Sequence, residues 1–282
     1  MTKSPTLQNF RSKIDAIDNK IIDLLEKRMA VISDVAIFKR KNNYKFFIRS
    51  AREADMIKNL QKKCNFCFPK SAIFDIWRKI ISSANAFEQK PQITIHNPRN
   101  IPDYFYLVQR YYGDFIPIDS QKSAKNIISK IIKNQIQIGV FALKQDTNNQ
   151  SWWSIINDSK SEIKIFALIA APNSKTKLIH TQNNLFLVAI KEAEKSELDN
   201  SLLTIRINKD ISRNKILSIL KKANLEAKIL DSHQDSKYKD QTLYLTEIKG
   251  FYTSNSNEII ALTSKLAQNA KIKIIGNYPK IT

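Results

Sequence analysis

Apolar residues recur with helical spacing between Pro5 and Lys41, at Ile14, Ile17, Ile21, Leu24, Leu25, Ile32 and Val35, and no Gly or second Pro interrupts them. The pattern predicts a single helix of about 35 residues, roughly 50 Å long at the α-helical rise. A helix of that length overhangs any small domain, so it must find packing partners along its whole course. Two shorter helical patterns follow, Ala51 to Lys63 and Ser71 to Gln89, the second entered through Pro69 with Ser71 as its expected cap. Three helices of such unequal length enclose a poor core, and pairing of the long helix with that of a second copy is the expected remedy.

The texture changes after Pro91. Short apolar runs at Ile93–Ile95, Asp114–Ile118, Ile136–Leu143, Ile163–Ala170 and Leu185–Ile190 read as buried strands, with helical patterns at Asp103–Tyr111 and Ser123–Lys133 between them. This alternation predicts an α/β region with a mostly parallel sheet. The charged stretch Lys191 to Asn200 (KEAEKSELDN) reads as a linker. Beyond it come a strand at Leu202–Ile207, a helix at Ser212–Asn224, strands at Ala227–Ser232 and Thr242–Ile248, a helix at Ser256–Asn269 and a strand at Lys271–Ile275. That order is βαββαβ, the ferredoxin-like arrangement. The expected division is a helical unit at residues 1–90, an α/β region at 91–192 and a βαββαβ unit at 200–282.

Composition narrows the chemistry. The 4 Gly residues lie far apart, so neither a phosphate-binding loop nor a dinucleotide fingerprint can be written. Two Cys and 3 His supply no zinc set of usual spacing and no disulfide framework, which points to a reducing compartment and to no metal. Cys64 and Cys67 form a lone C-x-x-C, expected to be two half-buried thiols. No apolar run reaches the roughly 18 residues that span a bilayer, and Arg11, Lys13, Asp15 and Asp18 stand where a signal peptide would be apolar. A cytoplasmic protein without membrane association is expected. The net charge of +20 asks for an anionic partner or reflects a Lys-rich composition, with 36 Lys against 10 Arg. The cations are interspersed with carboxylates and not gathered into a basic arm, which argues against nucleic acid as the partner.

Three cations of the long helix stand out. Arg28 and Lys39 are eleven positions apart, about 20° of rotation and about 16 Å along the axis, so they share one face, inside the apolar stripe. Together they would bracket a small polyanion; the alternative is that they are solvated positions on a Lys-rich helix. Arg11 lies about 25 Å from Arg28 and is rotated by about 100°, so it could join them only from an antiparallel partner helix.

The segments FRSKIDAIDNKIIDLLEKR, FIRSAREADMI and IWRKIISSANAFEQ, with Lys39 between the first two, closely resemble the all-helical chorismate mutase family over roughly residues 5–90. The resemblance implies a chorismate mutase: the Claisen rearrangement of chorismate to prephenate in phenylalanine and tyrosine biosynthesis, carried out in an intertwined helical homodimer without metal or cofactor. Such a reaction asks the protein to hold a flexible dicarboxylate in its compact conformer and to stabilise negative charge growing on the ether oxygen. On the resemblance, Arg28 and Arg11 of the partner subunit match the carboxylate-binding arginines. Lys39 matches the cation beside the ether oxygen, Arg52 an arginine lining the site, and Glu53 the carboxylate that accepts the substrate hydroxyl. Glu88 stands where many members place Gln as second donor to the ether oxygen, and a carboxyl donates only when protonated. Arg49 replaces a frequent Asp and Ala84 a Ser; Arg49 is expected to be a surface charge or an extra anion contact.

Residues 91–190 resemble more faintly the two-lobed prephenate dehydratase domain, through DYFYLVQRYYGDF and IQIGVFALKQDT, and the βαββαβ unit ending in GNYP resembles an ACT regulatory domain. That family's catalytic Thr-Arg-Phe falls on Asn184, Leu185 and Phe186, and its Glu-Asn-Ser on Lys144, Gln145 and Asp146. Dehydration of prephenate is therefore not expected. The ACT ligand loop is replaced by Asp210–Asn214, although Asp231 and Ser232 keep part of a Glu-Ser-Arg-Pro turn. Trp152 and Trp153 are expected to pack a loop onto the α/β region, and His96, His180 and His233 to have no chemical role. The expected protein is a multidomain α plus α/β chorismate mutase whose degenerate dehydratase-like and ACT-like tail is structural or regulatory. Its alternatives are a bifunctional chorismate mutase/prephenate dehydratase, or a metabolite-sensing binding protein whose helices serve only to dimerise.

Overall fold

The computed structural model describes residues 6–64, 68–143, 151–170, 184–234, 238–266 and 270–280; Cys67, Lys144, Gln145, Asp146 and His180 lie outside them. The first helix, α1 (Leu7–Lys41), runs unbroken for 35 residues. Thr6 opens it with a capping box shared with Asn9, and Lys39, Arg40 and Lys41 sit at the negative end of its dipole. The helices α2 (Ser50–Lys63) and α3 (Lys70–Glu88) complete the helical unit. Pro69, not Ser71, occupies the cap position of α3, and no side chain caps it. Among the described residues of α1 Ala36 is the one buried position, while Ile14, Ile17, Ile21 and Leu24 are 50–64% exposed. No described helix is long and apolar enough to cross a membrane.

The remaining elements are β1 (Ile93–His96), α4 (Pro102–Tyr112), β2 (Ile118–Gln121), α5 (Ala124–Ile132), β3 (Ile138–Ala142), α6 (Trp152–Asp158), β4 (Ile163–Ile169) and β5 (Leu185–Ile190). They are followed by β6 (Asp199–Asn208), α7 (Arg213–Lys222), β7 (Ala227–His233), β8 (Gln241–Lys249), α8 (Asn257–Lys265) and β9 (Lys271–Pro279). The nine strands form one sheet in the order β2-β1-β3-β5-β4-β9-β6-β8-β7. Its last four strands keep the ferredoxin-like order. The mostly parallel sheet expected of the α/β region is instead mixed: β1 pairs parallel with β2 and β3, but β3–β5 and β4–β5 are antiparallel. Antiparallel neighbours, unlike parallel ones, do not require a crossover connection. The strand β2 lies later than the apolar run predicted, because that run places Ile116 in the core just ahead of an edge strand that is itself half polar.

The two lobes expected of residues 91–192 are a single array, and β9 extends it through one parallel pair, Ile165 with Gly276. Gly276 permits this seam, since a Cβ there would overlap the backbone of Ile165. Alternation along the strands splits the core between the two faces of the sheet. Leu185, Leu187 and Ala189 pack with α4 and with Ile48 and Phe74 of the helical unit, whereas Phe186 and Val188 pack with α5 and α6. The helical unit therefore shares its core with the α/β region. A third cluster lies under α7 and α8.

Gly276→Ala is expected to lower the thermal unfolding midpoint by the equivalent of about 2 kcal/mol or more, because the backbone it meets cannot yield. Gly139→Ala should cost less, since its Cβ would meet the mobile ends of Ile127, Ile131 and Phe141 side chains. Equal losses for the two variants in calorimetry would show that the seam does not depend on Gly276.

Candidate active site

Arg28, Lys39, Arg52 and Glu88 converge where the C-terminal half of α1 meets the end of α3 and the start of α2. The Lys39 ammonium pairs with the Glu88 carboxylate and also donates to the Phe47 carbonyl at 3.2 Å. Arg40 donates to the Glu88 carbonyl at 3.0 Å, which ties the last turn of α1 to the last turn of α3. Burial pushes the Arg28 guanidinium below its ordinary range; the like charge of Arg52 adds to this and Glu88 opposes it. Nη1 of Arg28 is buried and has no hydrogen-bond partner among the described residues. A desolvated cationic donor left in this state is unfavourable, and an anionic acceptor would relieve it. A shallow depression of about 580 Å³, lined in part by Arg40, Phe47, Glu88 and Gln89, opens beside the pair.

Two of the expected site residues stand apart from this cluster. Arg11 is exposed on the free half of α1, and nothing in its own chain bridges the distance to Arg28. Glu53 is buried and turned into the interior between α2, α3 and α4, where one carboxylate oxygen accepts from Arg78 Nη1 at 2.8 Å and the other from Asn85 Nδ2 at 3.0 Å. Arg78 has no exposure at all, and its guanidinium lies 3.8 Å from the centre of the Tyr111 ring on α4. Ser82 donates to the Tyr111 carbonyl at 3.0 Å. Burial alone would raise the Glu53 carboxyl, but the charge and hydrogen bond of Arg78, with the Asn85 hydrogen bond, hold it below its usual range. The sequence reading missed Arg78, whose signal was a cation within the apolar stripe of α3. Arg49 donates to Glu194 at 3.2 Å across an exposed ion pair.

Residues 10–89 match the family described as chorismate mutase type II. The helical unit is a chorismate mutase type II domain. A curated relative, the bifunctional chorismate mutase/prephenate dehydratase of Stutzerimonas stutzeri, is 21% identical over 151 residues, which is 52% of this chain and 41% of that protein. The chain thus spans less than half the length of that relative. A stretch covering 52% of the chain cannot fit within the first 89 residues, so the similarity includes part of the α/β region. Similar solved structures include GqqA, described as a novel type of quorum quenching acylase, at TM-score 0.49 and 13% identity over 68% of this chain and 96% of that one. Prephenate dehydratases from Streptococcus mutans (TM-score 0.44, 12% identity, 67% and 97% covered) and Staphylococcus aureus (0.48, 9%, 66% and 99%) are further examples. The mutase domain is assigned by the family match, not by these structures.

Outside the mutase domain, the tryptophans are packing residues on a helix and not on a loop. Trp152 stacks on Phe141 and donates to the Ala142 carbonyl at 2.8 Å, and Trp153 donates to Asp231 at 3.1 Å. Ser232 accepts from Arg213 at 2.7 Å, so both retained residues of the ACT-like turn are engaged within the chain. A cavity of about 720 Å³ lies between the mutase domain and the sheet, lined among others by Phe74, Leu107, Arg110, Tyr111, Asn184 and Tyr278, and holds none of the α1 cations.

The Glu53–Arg78 pair sets an acid limit on stability. A carboxyl held lower in the folded state contributes stability that is full above its unfolded value, about 4.3, and is lost as pH falls through the folded value. Glu53→Gln is expected to destabilise the protein by about 3 kcal/mol at neutral pH, because it leaves Arg78 buried without its counter-charge, and to flatten the acid decline. Urea unfolding between pH 3 and 7 measures both; a neutral-pH change near zero would show that Arg78 is stabilised by Tyr111 alone.

Proposed function

We propose that this chain is a chorismate mutase, converting chorismate to prephenate in the cytoplasm, with an α/β and βαββαβ tail that is structural or regulatory. The observation that carries the reading is the orphaned, buried Nη1 of Arg28 beside Arg52, Lys39 and Glu88 in a domain of this family. A rigid planar guanidinium suits a carboxylate, which it can bind through two parallel hydrogen bonds. Arg28 and Arg52 take the substrate carboxylates, and Arg11 of the partner subunit completes the set. Lys39 stabilises the negative charge that grows on the ether oxygen as the C–O bond breaks, an interaction stronger in the transition state than in the ground state. We assign Glu53 to fastening α2 against α3 and α4 and not to the substrate hydroxyl, since both its oxygens already accept.

The homodimer belongs to the same reading. The apolar residues Ile14, Ile17, Ile21 and Leu24 of α1 need a cover, and an antiparallel second α1 would supply it together with Arg11. A protein that only dimerised and sensed a metabolite would have no use for a half-buried arginine set beside a second arginine. Dehydration of prephenate is not part of the proposal, because Asn184 and Leu185 stand where the dehydratase pattern has Thr and Arg. The test is loss of chorismate absorbance with purified protein, followed by acid conversion of the prephenate formed; no loss above the uncatalysed rate overturns the reading.

Two further outcomes follow from the geometry. Arg28→Ala should lower kcat/KM by about a hundredfold or more, as for removal of an oriented charge donor from a desolvated site. Mixing it with inactive Arg11→Ala chains under conditions that exchange subunits should restore part of the activity, since one site of each heterodimer holds both arginines. No recovery would argue that Arg11 does not cross between subunits.

Glu88 concerns the breaking bond. Its carboxyl group pairs with Lys39 and draws the ammonium to itself. Glu88→Gln offers an amide donor of nearly the same length and shape, so it should keep substantial kcat/KM near neutral pH. Glu88→Ala should be slow at every pH. Near-normal rates in Glu88→Ala would leave Lys39 as the sole assigned donor.

A further inference from the structure

Of the stretch Lys191 to Asn200 read from sequence as a linker, residues 191–198 are fastened to the mutase domain and the last two begin β6. Glu197 accepts from Lys58 at 2.7 Å through its carboxylate and donates its backbone N–H to Asp55 at 3.0 Å; Glu194 pairs with Arg49. These contacts are largely exposed and individually weak. Lys191 differs from them. Its side chain is 7% exposed, its ammonium donates to the Ile48 carbonyl at 2.6 Å and meets Glu194 at 3.4 Å, and it lies over the rings of Phe46 and Phe166 at 5.5 and 5.8 Å. A buried ammonium is costly unless its donors are used, and here they converge on the short stretch between α1 and α2.

Lys39 grips the neighbouring carbonyl, that of Phe47, and lies 5.0 Å from the centre of the Phe47 ring. Two lysines, one in the candidate site and one from the end of β5, thus hold consecutive carbonyls of one irregular segment. That segment runs from the last turn of α1, which carries Lys39, to the first turn of α2, which carries Arg52. Its far end is seated by Ser50, whose hydroxyl donates to the Phe166 carbonyl at 2.8 Å, at the position where the register of β4 against β5 shifts.

We propose that Lys191 is a positioning residue for the mutase reaction: by fixing Ile48 it fixes the Phe47 carbonyl, and through it the place from which the Lys39 ammonium acts. The sheet thereby forms part of the apparatus that orients the site, although it contributes no group to the substrate. This rests on the mutase reading above. Displacement of a charge-stabilising donor by about 1 Å costs up to about a hundredfold in rate.

The test is a double-mutant cycle in the full chain, following chorismate loss. Lys191→Met is expected to lower kcat about tenfold or more with KM changed less than about threefold, and Lys191→Arg, which keeps a charged donor, to restore most of it. In a Lys39→Gln background the same Lys191→Met change should have little further effect, because residues that act through one another are not additive. If Lys191→Met does not fold, Lys191→Gln, whose shorter side chain withdraws the donor from the Ile48 carbonyl, carries the cycle, with an expected loss of kcat that again vanishes beside Lys39→Gln. Equal losses in both backgrounds, or no loss with wild-type Lys39, would overturn the inference while leaving the mutase reading intact. Full activity of Lys39→Gln would instead remove the site reading on which it stands.

Discussion

A guanidinium with no solvent exposure fixes more of this molecule than any group in the candidate site. Desolvating Arg78 costs several kcal/mol, and that cost is offset only where Glu53, Asn85 and the Tyr111 ring keep their places around it. Those residues belong to α2, α3 and α4, so one ion pair locks two mutase helices onto the first helix of the α/β region. It also has a consequence along α2. Residues adjacent in a helix point about 100° apart, so drawing Glu53 inward leaves Arg52 directed toward α1, where it meets the field of Arg28. An interaction that does not touch the cation cluster thereby determines which way one of its members faces.

Much of the fold was legible because its elements are long or regular. The 35 residues of α1, the strands β3 to β6 and the order βαββαβ follow from periodicity and punctuation. So does the sharing of one helical face by Arg28 and Lys39, a matter of rotation alone. Other features depend on partners far apart in sequence and leave no local trace. Arg78 finds Glu53 across 25 positions and Lys191 finds Ile48 across 143. The helix α6 has seven residues, too few to display a period, and its Trp-Trp start read as loop. The fusion of two expected units into a single sheet turns on the absence of one side chain at Gly276, a fact about space between strands that no pattern along a strand conveys. Glu53 was assigned by resemblance, and the sequence held no sign that Arg78 and Asn85 would claim both its oxygens.

The segment between the α/β region and the βαββαβ unit carries several charges, which made it look like a solvated linker. The composition is as expected of one, but the chain uses it otherwise. Two of its acidic side chains, Glu194 and Glu197, lie against Arg49, Lys58 and Lys62 of a strongly basic mutase domain, so local attraction replaces the independence that a linker would give. A chain of net charge +20 has more cations than carboxylates to pair them, and where the carboxylates are placed therefore matters. Among the described residues outside the candidate site, the most deeply buried cations have counter-charges, Arg78 with Glu53, Lys191 with Glu194 and Arg206 with Asp158, and the half-buried Lys164 and Lys273 donate to backbone carbonyls.

Arg28 departs from that rule. The like charge of Arg52 acts on it, its carboxylate neighbour Glu88 is already joined to Lys39, and one of its nitrogens is buried without an acceptor among the described residues. If α1 pairs antiparallel with a second copy, as proposed, Arg11 would bring yet another positive charge to the same place. Such a cluster is unfavourable when empty, because like charges are crowded in a partly desolvated groove, and a small dianion relieves both the repulsion and the unmet hydrogen bond at once. A neutral or singly charged molecule of the same shape would relieve only part of it. On the proposed reading, the preference for a dicarboxylate would rest as much on the repulsion among these cations as on the contacts made on binding.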